Sequence, residues 1–323
     1  MALLEVRNLK TYFYTLRGVV RAVDGVSFTL EKGETIGIVG ESGSGKSTLG
    51  FSLLRLVPPP GRITDGSIIL DGVDILKLSE ERMRKEIRWK RISMVFQSAL
   101  NALNPVKRIG DQIADAIMAH EDVSKKEALE RAAELLKAVG IDPRRISNYP
   151  HEFSGGMKQR AVIAMALALE PDVVIADEPT TALDVVVQAQ ILNLFKKLRN
   201  EKKMSIILIT HDLSLVAEIA DKVAIMYAGR IVEIGPSDRI YTAPAHPYTK
   251  GLMASIPRIG GSKELSWIPG SPPDLRSPPP GCRFHPRCPY AMDICRREDP
   301  PYFTIDRDQL SACWLHKEGV GKI

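Results

Sequence analysis

Gly40-Glu41-Ser42-Gly43-Ser44-Gly45-Lys46-Ser47-Thr48 is the stretch on which the reading of this chain turns. The run before it, Thr35-Ile36-Gly37-Ile38-Val39, predicts a short buried strand, and Ser47 to Leu54 predicts the first turns of a helix. Glycine between the two permits tight turns, so that several backbone N–H groups converge on phosphate oxygens. Gly40, Ser42, Gly43, Ser44, Gly45 and Thr48 are therefore expected around the phosphates of a nucleotide. Lys46 would reach the β- and γ-oxygens as a point charge, and the Ser47 hydroxyl would ligate Mg²⁺. The strand before and the helix after separate such a loop from a chance Gly/Ser-rich turn.

A second signal lies far downstream. Pro171-Asp172-Val173-Val174-Ile175-Ala176-Asp177-Glu178-Pro179 is an apolar run ending in two carboxylates. A strand buried on both faces reads this way, and α/β folds bind ligands at the carboxyl ends of their strands. Asp177 is expected to hold Mg²⁺, directly or through water, and Glu178 to polarise the attacking water as general base. Two further strand-like runs end in polar residues: Met94-Val95-Phe96 runs into Gln97, and Ser205 to Thr210 runs into His211. A lone histidine after a strand is more often structural. Here the strand is expected to lead to the sheet edge that carries the phosphate loop, which favours a catalytic His211.

Ser154-Gly155-Gly156-Met157-Lys158-Gln159 starts another helix, with Ser154 as N-cap and an alanine-rich run to Leu169. A helix start that exposes unpaired N–H groups is an anion site. The loop at Gly40 to Thr48 already has its own helix and does not need this one. A head-to-tail pair of subunits, each loop facing the other's Ser154, uses both.

The 323 residues suffice for one large domain with an appendage, or for two domains. A 44% hydrophobic and 26% charged composition is that of an ordinary globular protein. The formal charge of +5 is modest, and no basic run or aromatic-basic stripe suggests a nucleic-acid groove. No apolar stretch approaches the roughly 20 residues of a membrane span, and the N-terminus enters a strand at once, without a signal peptide. A cytosolic protein is expected, with any membrane role exercised through partners.

Proline marks an internal boundary. Fourteen of the 22 prolines lie from Pro236 onward, a density that no helix or central strand tolerates. The compact domain is therefore expected over 1–235, and a tail of loops and short elements over 236–323. Upstream, Gly66 to Ile75 reads as a hairpin with an Asp71-Gly72 turn. Asn101 to Leu169 shows helical periodicity at Ile109, Ile113, Ile117, Ala128, Ala132, Leu135 and Leu136. All four cysteines, Cys282, Cys288, Cys295 and Cys313, lie in the tail. A reducing compartment disfavours disulfides, and four thiols match the ligand count of a [4Fe–4S] cluster or a zinc site. Gaps of five, six and seventeen residues lack the CxxC pairs usual for structural zinc, so iron–sulfur is favoured over zinc or over four unconnected thiols. His285 and His316 lie nearby in sequence and read as solvated rather than as ligands.

The phosphate loop, Gln97, Ser154 to Gln159, Ala176-Asp177-Glu178-Pro179-Thr180, Ala182-Leu183-Asp184 and His211 occur in an order that resembles the ATP-binding-cassette (ABC) ATPases. The resemblance covers about residues 3–240. It implies an α/β fold: a P-loop, RecA-like core, an antiparallel β subdomain, and a helical subdomain inserted at about 98–165. It also implies ATP and Mg²⁺ as cofactors and assigns roles. Gln97 would sense Mg²⁺ and contact a membrane partner, and Ser154, Gly155 and Gly156 would meet ATP bound to the opposite subunit. Asp184 would lie at the subunit contact and His211 on the γ-phosphate. Phe153 and Met157 depart from the usual Leu and Gln of the signature, whose Ser-Gly-Gly core is intact. An adenine platform is expected among Tyr12, Phe13 and Tyr14, and family spacing favours Phe13.

The tail carries a narrower likeness. His246-Pro247-Tyr248-Thr249-Lys250-Gly251-Leu252, Ile268 to Pro273 and Cys282-Arg283-Phe284-His285-Pro286-Arg287-Cys288 resemble the C-terminal extension of dipeptide and oligopeptide importer ATPases. So do Leu103-Asn104-Pro105 and Ile109 to Ile113. In that family two different, related ATPases pair beneath two membrane permeases fed by an extracytoplasmic peptide-binding protein, and some relatives carry nickel or other small cargo. The expected function is ATP-driven peptide import, peripheral on the cytoplasmic face of the membrane. A soluble ABC ATPase acting on nucleic acid is the rival reading; the coiled-coil insertions, zinc modules or fused cassettes usual there are not visible.

Overall fold

The computed structural model describes residues 2–97, 102–181, 183–255 and 268–318. Asn101 and Ala182, named above, lie outside them, as does the start of the insertion expected at 98. In chain order the first part runs β1 (Leu4–Thr15), β2 (Gly18–Leu30), β3 (Thr35–Val39), α1 (Lys46–Leu53), β4 (Gly61–Leu70), β5 (Val73–Asp74), the one-turn α2 (Glu80–Arg82) and β6 (Ile92–Val95). Next come α3 (Ile109–Met118), α4 (Lys125–Ala138), α5 (Gly155–Ala166), β7 (Val173–Asp177), α6 (Val185–Lys202) and β8 (Ser205–Thr210). The last part holds α7 (Leu213–Ile219), β9 (Lys222–Tyr227), β10 (Arg230–Pro236), α8 (Ser237–Thr242), α9 (Pro247–Ala254), β11 (Phe303–Asp306) and β12 (Gln309–Ser311). Two compact units emerge: Met1–Leu30 with Glu34–Leu76 and Ile209–Ile323, and Glu31–Gly33 with Lys77–Leu208.

The first unit holds an antiparallel sheet in the order β2-β1-β4-β5. Leu4, Val6 and Leu9 of β1 are buried, facing the core with Val26, Phe28 and Leu30 of β2. Asp71 and Gly72 both have positive φ, 49° and 79°, the backbone of a tight two-residue hairpin turn between β4 and β5. In the same unit β9 lies between β3, which it pairs in parallel, and β10, which it pairs antiparallel. Every residue of β3 is buried, as expected for a strand covered on both faces. A Cβ on Gly37 would lie 2.3 Å from Val216 Cγ1, so glycine there lets α7 close on β3.

The tail does more than wrap. β12 pairs with the open edge of β10, Glu233 opposite Ser311 and Ile234 opposite Leu310, and β11 pairs with β12. The prolines stop at Pro301, and the proline-free chain beyond regains the N–H groups a strand needs.

In the second unit the strand order is β8-β7-β6, with β6 parallel to β7 from Ile92↔Val173 to Val95↔Ala176. Its helices form their own core. Ile109, Ile113, Ile117, Ala128, Ala132 and Leu136 are fully buried, while Leu135 is only partly so. Ser124 caps α4 by accepting from the Glu127 N–H at 3.2 Å. Among the described residues no helix is long and apolar enough to cross a membrane.

Candidate functional site

The loop between β3 and α1 is built by close backbone approach. Gly45, at φ 104°, is the residue that starts α1, and a Cβ there would lie 2.0 Å from the Ala22 carbonyl oxygen. A Cβ on Gly40 would meet the Met226 carbonyl at the same 2.0 Å. Ser44 is buried; its carbonyl accepts from the Gly229 N–H at 2.8 Å, which ties the loop to the β9–β10 turn. Its Oγ is buried without a hydrogen-bond partner. Lys46 is 7% exposed and folds back over the loop, donating to the Gly40 carbonyl at 2.7 Å and the Glu41 carbonyl at 3.0 Å. Ser42 and Gly43 are exposed, and Ser47 and Thr48 are partly buried. A buried ammonium that donates to two loop carbonyls, and a buried hydroxyl without a partner, fit an anion with many acceptor oxygens. The residues present suit a nucleotide's phosphates.

Of the three aromatics on β1, Tyr12 donates its hydroxyl to Asp24 at 2.6 Å. Burial and then the Asp24 carboxylate push that hydroxyl up to about 12. Phe13 lies against Gly61, where a Cβ would come within 2.6 Å of its ring. Tyr14 is exposed beneath the Arg62 guanidinium, 4.8 Å from its ring centre. His211, just past β8, is exposed.

In the second unit Asp177 ends β7 and is 1% exposed. Glu178 follows at φ 48°, a left-handed conformation rare outside glycine. It leaves the strand's alternation and accepts a hydrogen bond from Thr181 Oγ1 at 3.2 Å. Ser154 caps α5, its Oγ accepting from the Met157 N–H at 3.4 Å. Gly155 is exposed at the helix start. A Cβ on Gly156 would lie 2.7 Å from Val187 Cγ1, and one on Gly155 3.6 Å from Leu183 Cδ2. Asp184, capping α6, accepts from the Val187 N–H at 2.9 Å. The serine-glycine turn and the Asp184 turn, thirty residues apart in sequence, are thus neighbours. Phe153, the departure from the usual signature, is a core residue at 5% exposure. Gln97, after β6, is exposed.

The sequence did not reveal that the tail reaches the phosphate loop. Arg287 donates to both Glu41 carboxylate oxygens, at 2.7 and 2.9 Å, and the Tyr248 hydroxyl accepts from the Glu41 N–H at 3.0 Å. Arg287 and Tyr248 stand in the two tail segments that resemble the importer extension, yet nothing in either segment identifies Glu41 as the partner. Nearby, Arg283 pairs with Asp24 and donates to the Ala228 carbonyl.

The four cysteines are free thiols in this unit, and the Cys282 N–H donates to the Cys295 carbonyl at 2.9 Å. Burial, helped by the Cys295 and Cys288 sulfurs, pushes the Cys282 thiol up to about 11. Burial, with Cys282, Cys288 and Cys295, pushes Cys313 up to about 12. Among the described residues, no group of three or more His, Cys, Asp or Glu side chains is placed to hold a metal ion. His285 Nδ1 lies 2.9 Å from the Cys282 carbonyl oxygen, and burial holds His316 below the usual imidazole range.

Residues 23–181 match the family described as ABC transporter, and residues 232–295 match the family described as oligopeptide/dipeptide transporter, C-terminal region. The chain is 51% identical to the dipeptide transport ATP-binding protein DppD of Bacillus subtilis, over 98% of this chain and 95% of that one. It is 48% identical to the oligopeptide transport ATP-binding protein OppD of Salmonella typhimurium, over 97% and 93% respectively. Among solved structures it is similar to the dimeric, post-hydrolysis state of the ATP-binding cassette MJ0796 bound to ADP and Pi. The TM-score is 0.63 at 28% identity, covering 72% of this chain and 98% of that one. It is also similar to cbiO1 from Clostridium perfringens, at TM-score 0.64 and 27% identity over 75% of this chain and 91% of that one.

Proposed function

The chain belongs to the ABC transporter family of ATPases, and from that membership we propose that it is the ATP-hydrolysing subunit powering import of dipeptides or oligopeptides across the cytoplasmic membrane. The observation that carries the cargo class is the C-terminal match over residues 232–295, joined to relatives of the same length named for peptide transport.

In this reading the loop N–H groups and Lys46 hold the β- and γ-phosphates, and Phe13 stacks on the adenine. Ser47, Asp177 and Gln97 would hold Mg²⁺, whose charge would offset that of the phosphate oxygens. Glu178 takes the proton of the attacking water, and His211 contacts the γ-phosphate. Ser154, Gly155 and Gly156 meet the ATP of a second, paralogous ABC ATPase, so that ATP closes the pair and hydrolysis reopens it. Gln97 passes the motion to two transmembrane permeases, to which an extracytoplasmic peptide-binding protein delivers cargo. The protein then sits peripherally on the cytoplasmic face. The exposed cap of α5 beside the exposed Asp184 supports the head-to-tail pairing, because both turns lie at the surface.

The decisive experiment deletes the gene and follows uptake of labelled dipeptides, longer peptides and nickel. Loss of peptide uptake, restored by wild type but not by Glu178→Gln, is expected. Loss of nickel uptake with peptide uptake intact would overturn the cargo assignment.

The four cysteines are assigned to a [4Fe–4S] cluster, with zinc as the alternative. What supports this is the ligand count, four free thiols in one proline-rich segment to which a metal staple would add much. Iron and acid-labile sulfide assays on anaerobically purified protein test it. One equivalent of zinc without visible absorbance counts against the cluster.

A further inference from the structure

Glu41 places a carboxylate within a loop read as a phosphate cradle. Its backbone lies beside the Lys46 ammonium, which donates to the Glu41 carbonyl at 3.0 Å. A glutamate side chain is long enough to bring its own carboxylate to that ammonium and to the neighbouring N–H groups. It would then occupy the position of a phosphate. In the folded chain this does not happen, because the carboxylate is engaged elsewhere: both its oxygens accept from Arg287, at 2.7 and 2.9 Å.

Arg287 is itself rigidly held. It is 8% exposed, donates to the Pro269 carbonyl at 2.9 Å and the Ile268 carbonyl at 3.3 Å, and lies 5.7 Å from the centre of the Tyr227 ring. Two parallel N–H···O bonds to a carboxylate are geometrically demanding and strong, and a lysine reproduces only one of them. Tyr248 holds the same residue from the other end, its hydroxyl accepting from the Glu41 N–H at 3.0 Å. Side chain and backbone of Glu41 are both anchored to the tail.

We infer that Arg287 is a positioning residue for the phosphate loop: by binding the Glu41 carboxylate it keeps a built-in anion out of the site that Lys46 and the loop N–H groups offer to ATP. Tyr248 fixes the backbone at the same point. The tail thereby sets nucleotide affinity. The inference rests on the reading of the loop as an ATP site, and adds to it a role for a segment distant in sequence.

Equilibrium binding of a fluorescent ATP analogue with Mg²⁺ to the full chain tests it through a double-mutant cycle. Arg287→Met should weaken binding by about tenfold or more, as expected when one partner of a partly buried, doubly hydrogen-bonded charge pair is removed. Relative to Glu41→Gln alone, adding Arg287→Met should cost less than about threefold, because no carboxylate is left to release. Arg287→Lys, which keeps the charge, should fall between wild type and Arg287→Met. Circular dichroism and thermal melts establish folding, and the Glu41→Gln background keeps the cycle readable if Arg287→Met is unstable. Equal losses from Arg287→Met in the two backgrounds would reduce Arg287 to a structural strut and overturn the inference. Unchanged binding by Arg287→Met would overturn it too. Failure of wild type to bind the analogue would sink the ATP reading as well.

Discussion

Glu178 occupies a conformation that side chains normally avoid, at φ 48°, one residue past a fully buried strand. Such strain costs about 1–3 kcal/mol and persists where the surroundings over-determine it. Its carboxylate is held by Thr181 at 3.2 Å. Glu178→Gln should leave ATP binding intact and slow turnover by about 10²–10⁴-fold, the range for loss of a positioned general base. Single-turnover phosphate release with the paired subunit present checks this, and a near-normal rate would remove Glu178 from the base role. Gly45 makes the opposite demand: φ 104° and a Cβ position 2.0 Å from a backbone oxygen. Backbone atoms cannot rotate aside as a side-chain tip can. Gly45→Ala should therefore lower the melting temperature and abolish nucleotide binding, a loss of about 1–3 kcal/mol from backbone strain alone. Residue types at the loop were legible in the sequence because glycine spacing and the lysine follow from local geometry. Arg287 was not, because its meaning lies in Glu41, and no local pattern connects them.

The elements divide in the same way. β3, α1 and β7 follow from contiguous patterns, and the Asp71-Gly72 turn is a local signal. β2 escaped although it folds back on β1 as a local hairpin, Thr15 opposite Gly18, because bulges break the alternation that would have marked the two strands. β11 and β12 escaped for a different reason. A proline-dense segment reads as loop throughout, yet its proline-free end pairs with β10. Element α9 carries a pH signature. Its N-cap, His246, accepts from the Tyr248 N–H at 3.0 Å through Nδ1, which requires the neutral ring. Burial, with His316 adding to it, drives that imidazole from 6.5 down to about 3. Below pH 6.5 the unfolded chain takes up a proton that the folded chain refuses. Stability should be full at neutral pH and fall by about 1.4 kcal/mol per pH unit between roughly 6.5 and 3. His246→Asn keeps an N-cap acceptor without the titration. Melting curves from pH 7.5 to 4.5 should fall more steeply for wild type than for this variant, and parallel curves would refute the assignment.

For the whole molecule, the proposed function gives the exposed Ser154-Gly155 cap beside the Asp184 turn a use in a second subunit. The chain alone should be mostly monomeric and hydrolyse ATP slowly, and addition of a paralogous ATPase should raise the rate by an order of magnitude or more. Light scattering and steady-state phosphate release decide it; brisk hydrolysis by the pure chain would argue for a homodimer instead. The clasp between Glu41 and Arg287 also has a consequence in time. A ribosome adds about 5–20 residues per second, and 246 residues separate the two partners. Each nascent chain thus exists for tens of seconds with its nucleotide loop synthesised and its restraint not yet made. Asp24, waiting for Arg283, is in the same position across 259 residues. A chain that stalls or is cut before its last segment would carry every motif of an ATPase and lack the grip on its loop. If the clasp sets the loop as inferred, such a chain would bind ATP more weakly than the full chain, though its motifs are complete.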